Sequence, residues 1–260
     1  MKWRLYFCLS ILTLLATLGC ESNQNDLNKT KQEKNSSGIA LLNDSESINN
    51  SIVKQVYIHE APKKVSPSEA VIKQFEVEFE DGKKKFPTRK SILFETIIGS
   101  NSIVGIRSPE GEHNFAVFQY KHDINWYINS LLRIKYQAEN NYNNKLGLAL
   151  PMNKFNSINL DTQEDGDIWV FVDKETIVAI TKFDRYNFNP SNKSKQLKLD
   201  NGTSAYLDFD VFNQPNLFYY DSSQLIVISG NVTQSILLEI ANSLPSANSI
   251  YFPAKKQSNW

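Results

Sequence analysis

The sequence predicts an α+β fold: antiparallel β-sheets with a few packed helices, in a chain that divides near Pro151 into two halves of similar size. Three observations carry this. Short apolar runs recur along the chain, several alternating with period two and bounded by Gly, Asn, Asp or Ser. The dipeptides Asp81-Gly82 and Asn201-Gly202 sit between such runs, where tight hairpin turns need them. Three further segments show helical spacing behind a capping residue. A hydrophobic content of 41% with 15 Phe and 11 Tyr is enough to fill a β-rich core.

The elements follow in order. Ser66, Pro67 and Glu69 form the start of a short helix, with a cap, a first-turn proline and a reciprocal acid three residues on. The run QFEVEFEDGKKKF alternates at Phe75, Val77 and Phe79 before turning at Asp81-Gly82. Residues 92–98 and 102–107 are β-branched runs parted by Gly99, Ser100 and Asn101. Pro109, Glu110 and Gly111 mark a turn into a strand at 115–120. Residues 123–139 have the spacing of a helix face, at Ile124, Tyr127, Ile128, Leu131, Leu132 and Lys135, with Asp123 as cap. In the second half, residues 168–172 and 176–183 pair across Asp173-Lys174-Glu175, and Asn201-Gly202 turns a further hairpin. The runs NLFYY and QLIVIS join through Asp221, Ser222 and Ser223. A last helix has Thr233 as cap, a stripe at Ile236, Leu237, Ile240, Ala241 and Leu244, and Pro245 as stop.

Residues 1–20, MKWRLYFCLSILTLLATLGC, set the location. Lys2 and Arg4 precede an almost wholly apolar stretch at 5–18, and the small residue Gly19 stands before Cys20. That is the layout of a secretion signal, and it falls short of the roughly 20 apolar residues a spanning helix needs. The segment resembles the signal of bacterial lipoproteins, which is cut before a lipidated cysteine. Leu18, Gly19 and Cys20 stand at the last three places of that pattern; the segment departs from it at Thr17, where the family usually has leucine, with Leu18 where a small residue is commoner. The resemblance implies lipidation of Cys20 and a membrane partner reached through two acyl chains. At about 0.8 kcal/mol per buried methylene, two chains hold stably where one is marginal.

The resulting organisation is a signal peptide at 1–19, the lipidated cysteine with a disordered polar tether at 20–52, and α+β halves at 53–150 and 151–260. The tether, ESNQNDLNKTKQEKNSSGIALLNDSESINNS onward, is broken only by the apolar run 39–42 and buries too little to offset its ordering entropy. Cleavage removes Cys8 and acylation consumes Cys20, so the mature body has no thiol for disulfides, catalysis or thiolate metal sites. Without Lys2 and Arg4, 26 basic residues face 28 acidic ones. Such a balance gives no general attraction to nucleic acid, which is not expected as a partner.

The C-terminal residues carry a second resemblance. LKLDNGTSAYLDFD followed by LFYYDSSQLIVISGNVTQSILLEIANSLP is similar to a domain of unknown function in Gram-positive spore formers. That family occurs in extracytoplasmic lipoproteins and in the outer parts of anti-sigma or sporulation-linked membrane proteins. The matching features are the Asn201-Gly202 hairpin, Ser229-Gly230-Asn231, and the helix end Ala241-Asn242-Ser243-Leu244, within residues 167–245. Tyr219-Tyr220 departs from it, since the family often has tryptophan there. The family has no established catalytic residues, so the resemblance implies no site.

Chemical constellations are weak. Asp161, Asp165 and Gly166 fall at positions one, five and six of a calcium loop, yet Gln163 stands at three and Val172 at twelve, where a bidentate glutamate is required. An acidic turn before a strand is the expected reading. His59, His113 and His122 have no metal-ligand spacing. There is no nucleophile elbow and no phosphate loop, and only 10 Gly serve the whole chain. Asp208 and Asp210 flank Phe209 and are expected on a solvated strand face with Phe209 inward. The aromatics Trp126, Tyr127, Trp169, Phe171, Phe218, Tyr219 and Tyr220 are expected mostly in the core, with a ligand groove as the alternative. The sequence therefore points to a non-catalytic binding, sensory or interaction module, lipid-anchored at the cell envelope. It would meet an envelope protein or cell-wall component, with no cofactor, metal or catalytic residue assigned. The alternative is an envelope hydrolase built from scattered carboxylates with His113 or His122.

Overall fold

A computed structural model describes residues 39–40, 52–140, 142–143, 147–161, 166–184 and 188–254. Residues 1–36 and 37–260 fall into two units, and every described residue belongs to the second. The chain runs through β1 (Ile39–Ala40), β2 (Val53–Ile58), α1 (Pro67–Gln74), β3 (Phe75–Phe79), β4 (Lys84–Lys85) and a 3₁₀ turn at Arg89–Ser91. There follow β5 (Ile92–Ile98), β6 (Asn101–Arg107), β7 (Asn114–His122), β8 (Trp126–Lys135), β9 (Tyr142–Asn143) and β10 (Lys154–Leu160). The rest comprises β11 (Asp167–Val172), β12 (Ile177–Asp184), β13 (Lys195–Lys198), β14 (Ser204–Phe209), β15 (Pro215–Asp221), β16 (Gln224–Gly230) and α2 (Gln234–Ser243).

These form three sheets, of order β1-β8-β7-β6-β5, β13-β14-β15-β16-β12-β11-β10-β9 and β2-β3-β4. All pairings are antiparallel except that of β1, whose backbone runs parallel to β8 at Leu131 and Leu132. The two larger sheets pack face to face. Phe94, Ile103, Phe115, Val117 and Leu132 from one meet Val170, Ile177, Ala179, Leu225 and Val227 from the other. The outer face of the five-stranded sheet is covered by α1 and β3 through Ala70, Val71, Phe75 and Val77. The outer face of the eight-stranded sheet is covered by α2 through Leu237, Ile240 and Ala241. Both central sheets are thus buried on both sides, which is why their strands are continuous apolar runs. In β12, Ile177 and Ala179 enter the layer between the sheets while Val178 and Ile180 face the helix side.

The α+β expectation is therefore corrected. The fold is β-rich, and the described residues contain two α-helices, one on each outer side of the sandwich. The helix expected at 123–139 is the strand β8. A bulge explains the helical spacing. Tyr120 pairs with Ile128 and Gln119 with Ser130, leaving Asn129 as an extra residue. The bulge shifts the alternation by one, so Trp126 and Ile128 face the same layer as Leu131, while Leu132 faces the opposite one. Ile124 lies outside the strand and is 85% exposed.

Other expectations hold locally. Ser66 accepts from the Glu69 amide and Glu69 reaches back to the Ser66 amide, closing the capping box of α1. Thr233 caps α2. Gly82 and Gly202 take positive φ in their turns, which glycine adopts without a Cβ clash. Among the described residues no helix is long and apolar enough to cross a membrane.

Candidate functional site

A cleft of about 160 Å³ opens on the helix side of the eight-stranded sheet, lined by Asn201, Tyr219, Asp221, Ala241, Asn242, Leu244, Pro245 and Ser246. The β13–β14 turn builds one wall: the Asn201 carboxamide accepts from the Thr203 amide at 2.9 Å. The neighbouring Asp200 amide donates to the Asn242 side chain at 3.0 Å, pinning the hairpin tip to the end of α2. The floor is the end of β15. The Asp221 carboxylate accepts from the Ala247 amide at 2.6 Å and from the Ser222 hydroxyl at 3.2 Å, which folds the chain after α2 back over the sheet.

Tyr219 is 5% exposed, its ring in the core beneath α2. Its hydroxyl has no hydrogen-bond partner among the described residues. Among the described residues the sealed side-chain polar atoms without a hydrogen bond do not include the Tyr219 hydroxyl, which therefore opens on the cleft that the residue lines. Burial, then the Asp221 charge, push its pKa up, which keeps the phenol protonated at neutral pH. The lining contains one carboxylate and no Lys or Arg. The α2 C-terminus adds the partial negative charge of its last carbonyls.

Two further polar clusters stand elsewhere. On the outer face of the β2-β3-β4 sheet, Glu78 accepts from Lys54 at 2.6 Å and Tyr57 at 2.8 Å, while Glu76 meets Lys84 at 2.6 Å and His59 at 2.7 Å. The lysine bonds lead in holding both carboxyls below their ordinary range, followed for Glu78 by the Tyr57 hydroxyl. At the seam where β5 meets the β14–β15 turn, the 3%-exposed Glu95 turns its side chain to α1 and accepts from the Ser68 amide in the helix's first turn at 2.9 Å. Asp210 accepts from the amides of Glu95, Phe212 and Gln214 at 2.7 to 2.8 Å. Burial pushes both seam carboxyls up, and the Asp210 charge adds to the rise at Glu95.

The residues singled out by sequence are scattered. Cys20 lies outside the described residues, as do residues 162–165 of the calcium-like stretch. Asp161 shares a hydrogen bond with Asp167, which raises its pKa; Asp167 pairs with Lys182 at 2.8 Å. Val172, at the glutamate position of a calcium loop, is fully buried. Among the described residues no group of three His, Cys, Asp or Glu side chains is placed to hold a metal. His113 precedes β7 and faces the Lys174 carbonyl at 3.1 Å, while His122 ends β7 against Trp126. Nine residues of strand put them roughly 30 Å apart. The aromatics divide among layers: Phe171 and Phe218 are core, Tyr127 is half-exposed, and Tyr219 lines the cleft.

The solvated face expected at Asp208 and Asp210 is also corrected. Phe209 is 51% exposed and Asp210 turns inward, because β14 ends at Phe209 and Asp210 organises the following turn. Sequence reasoning missed Glu95, whose partners lie 27 and 115 residues away, and it missed the cleft. The cleft joins Asn201 of a hairpin turn to Ala241, Asn242 and Leu244 at a helix end, and a convergence over about forty residues leaves no local signal. In comparisons with known proteins, no family model matches the chain, and no curated protein matches it.

Proposed function

We propose that this protein is a lipoprotein held on the extracytoplasmic face of the cell membrane by acylated Cys20, with its β-rich body acting as a non-catalytic binding module. The observation that carries the reading is the N-terminal sequence itself. A basic start and an apolar stretch end at Gly19-Cys20, and a polar segment follows at once. The mature body has no cysteine, so it folds without disulfides in a compartment where they would form. Its core of three large clusters supplies that stability by burial instead. The polar cleft beside α2 supports the binding role.

Metabolic labelling with palmitate tests the anchor. Label is expected on the wild-type chain and lost in Cys20→Ala. Label retained by Cys20→Ala contradicts the assignment.

A further inference from the structure

We propose that the cleft between the Asn201-Gly202 hairpin and the end of α2 binds a compact ligand through a protonated primary amine. The inference stands on the cleft alone, and it holds or fails independently of the anchor at Cys20.

Size comes first. About 160 Å³ holds roughly five waters at about 30 Å³ each, or a ligand the size of one amino sugar or one basic side chain. Charge comes next. The lining offers the Asp221 carboxylate and no cationic side chain, and the negative end of α2 faces the same space. An anionic ligand is repelled on both counts, and a neutral one leaves that potential unused. A cation is favoured.

Hydrogen-bond chemistry narrows the cation to an amine. An ammonium group presents three donors and no acceptor. Around the cleft stand oxygen acceptors: the Asp221 carboxylate, the Asn201 and Asn242 carboxamides and the Tyr219 hydroxyl. Asp221 accepts from the Ala247 amide and the Ser222 hydroxyl, and the two carboxamides from the amides of Thr203 and Asp200, so all three are held in place with lone pairs to spare. Tyr219 adds a fourth positioned acceptor. Its side chain is nineteen-twentieths buried, its ring is fixed in the core, and its hydroxyl lacks a partner among the described residues. Because the hydroxyl opens on the cleft, a ligand donor can take the place that water holds there.

The amine has two sources of the same chemistry, a free amino sugar or a lysine-type side chain of a peptide. Titration of the intact ¹⁵N-labelled protein in detergent micelles, read at the Asn201 and Asn242 side-chain amides by NMR, separates them. The probes are glucosamine, N-acetylglucosamine, glucose and Nα-acetyl-lysine amide. Glucosamine, the lysine derivative or both are expected to shift the two amides in the millimolar range, and whichever binds names the source. N-acetylglucosamine and glucose are expected to bind at least about tenfold more weakly, the factor that about 1.4 kcal/mol gives. Asp221→Asn is expected to weaken amine binding by about tenfold or more and Tyr219→Phe by several-fold. Because Asp221 also holds the Ala247 amide, a second readout needs no variant: wild-type binding should vanish as the pH passes the ligand amine's own pKa. No shift from either amine up to its solubility limit overturns the proposal. So does glucose binding as tightly as glucosamine, or binding that survives deprotonation of the amine.

Discussion

Two sets of partly or wholly buried carboxylates in this body are held in opposite ways. On the outer β2-β3-β4 sheet, Glu76 and Glu78 each meet cations and are held ionised. At the seam where β5 meets the β14–β15 turn, Glu95 and Asp210 accept from backbone amides at 2.7 to 2.9 Å, and burial favours their neutral forms. The difference teaches that the same side chain does two structural jobs here. The outer pair neutralises lysines on a solvated sheet face. The seam pair satisfies backbone donors that no strand or helix partner reaches: the α1 first turn and the β14–β15 turn.

The largest break in that comparison is Glu95→Ala. It leaves the Ser68 amide without its acceptor inside the molecule and should cost about 2 kcal/mol, read as a lower urea midpoint. A midpoint unchanged from wild type would mean that the seam carboxylate has no structural role. Next comes Thr96→Val, in the same seam. The Thr96 hydroxyl bridges Asn216 and Ser229 at 2.6 Å each, and its loss should cost about 1–2 kcal/mol. Elution and spectroscopic signature are expected to stay native, since the apolar layer around the seam is untouched.

Charge removal separates the two sets by sign. Glu95→Gln keeps an acceptor and removes a charge that burial disfavours, so at pH 7 it should be neutral or stabilising. Glu78→Gln should be destabilising, because Lys54 and Tyr57 lose their anionic partner. The pH dependence follows the same division. Glu95 has a folded-state pKa raised from 4.5, so its ionised form costs stability above that range and the cost is relieved as pH falls through the raised value. The advantage of Glu95→Gln should therefore fade before pH drops to 4.5. Glu78 has a folded-state pKa lowered from 4.5, so its contribution is present above 4.5 and is lost as pH falls further. The deficit of Glu78→Gln should persist to 4.5 and vanish below it. Difference curves of stability against pH for the two variants that share one sign would refute the division. The smallest effect is that of salt. At 1 M NaCl, where the screening length is about 3 Å, the exposed-side Glu78→Gln deficit should shrink while the Glu95→Ala deficit stays.

How far the sequence reveals this architecture depends on how local the determining contacts are. The capping box of α1 and the hairpins at Asp81-Gly82, 173–175 and Asn201-Gly202 are set within a few residues, and all are legible. The contrast of α2 with β8 shows the limit. Both segments carry apolar residues three and four apart. In α2 the stripe of Leu237, Ile240 and Ala241 packs on one sheet face, as one helix side must. In β8 the same spacing arises from burial on two faces plus the bulge at Asn129, and its pairing with β7 decides the outcome. The cleft was harder still. Asn201, Tyr219, Asp221 and Asn242 are each placed correctly as turn, strand and helix end, yet their convergence depends on sheet order and on where α2 lands.

A body held outside the membrane meets the pH and ions of its surroundings, which gives the two carboxylate sets their bearing on the proposed location. The most direct measurement of that location is fractionation of cells expressing the intact chain, with protease added from outside. The account predicts the wild type in the membrane fraction, its body cleaved by external protease, and Cys20→Ala absent from the lipid-anchored pool. A wild-type body that stays with the cytoplasmic fraction and resists external protease would contradict it.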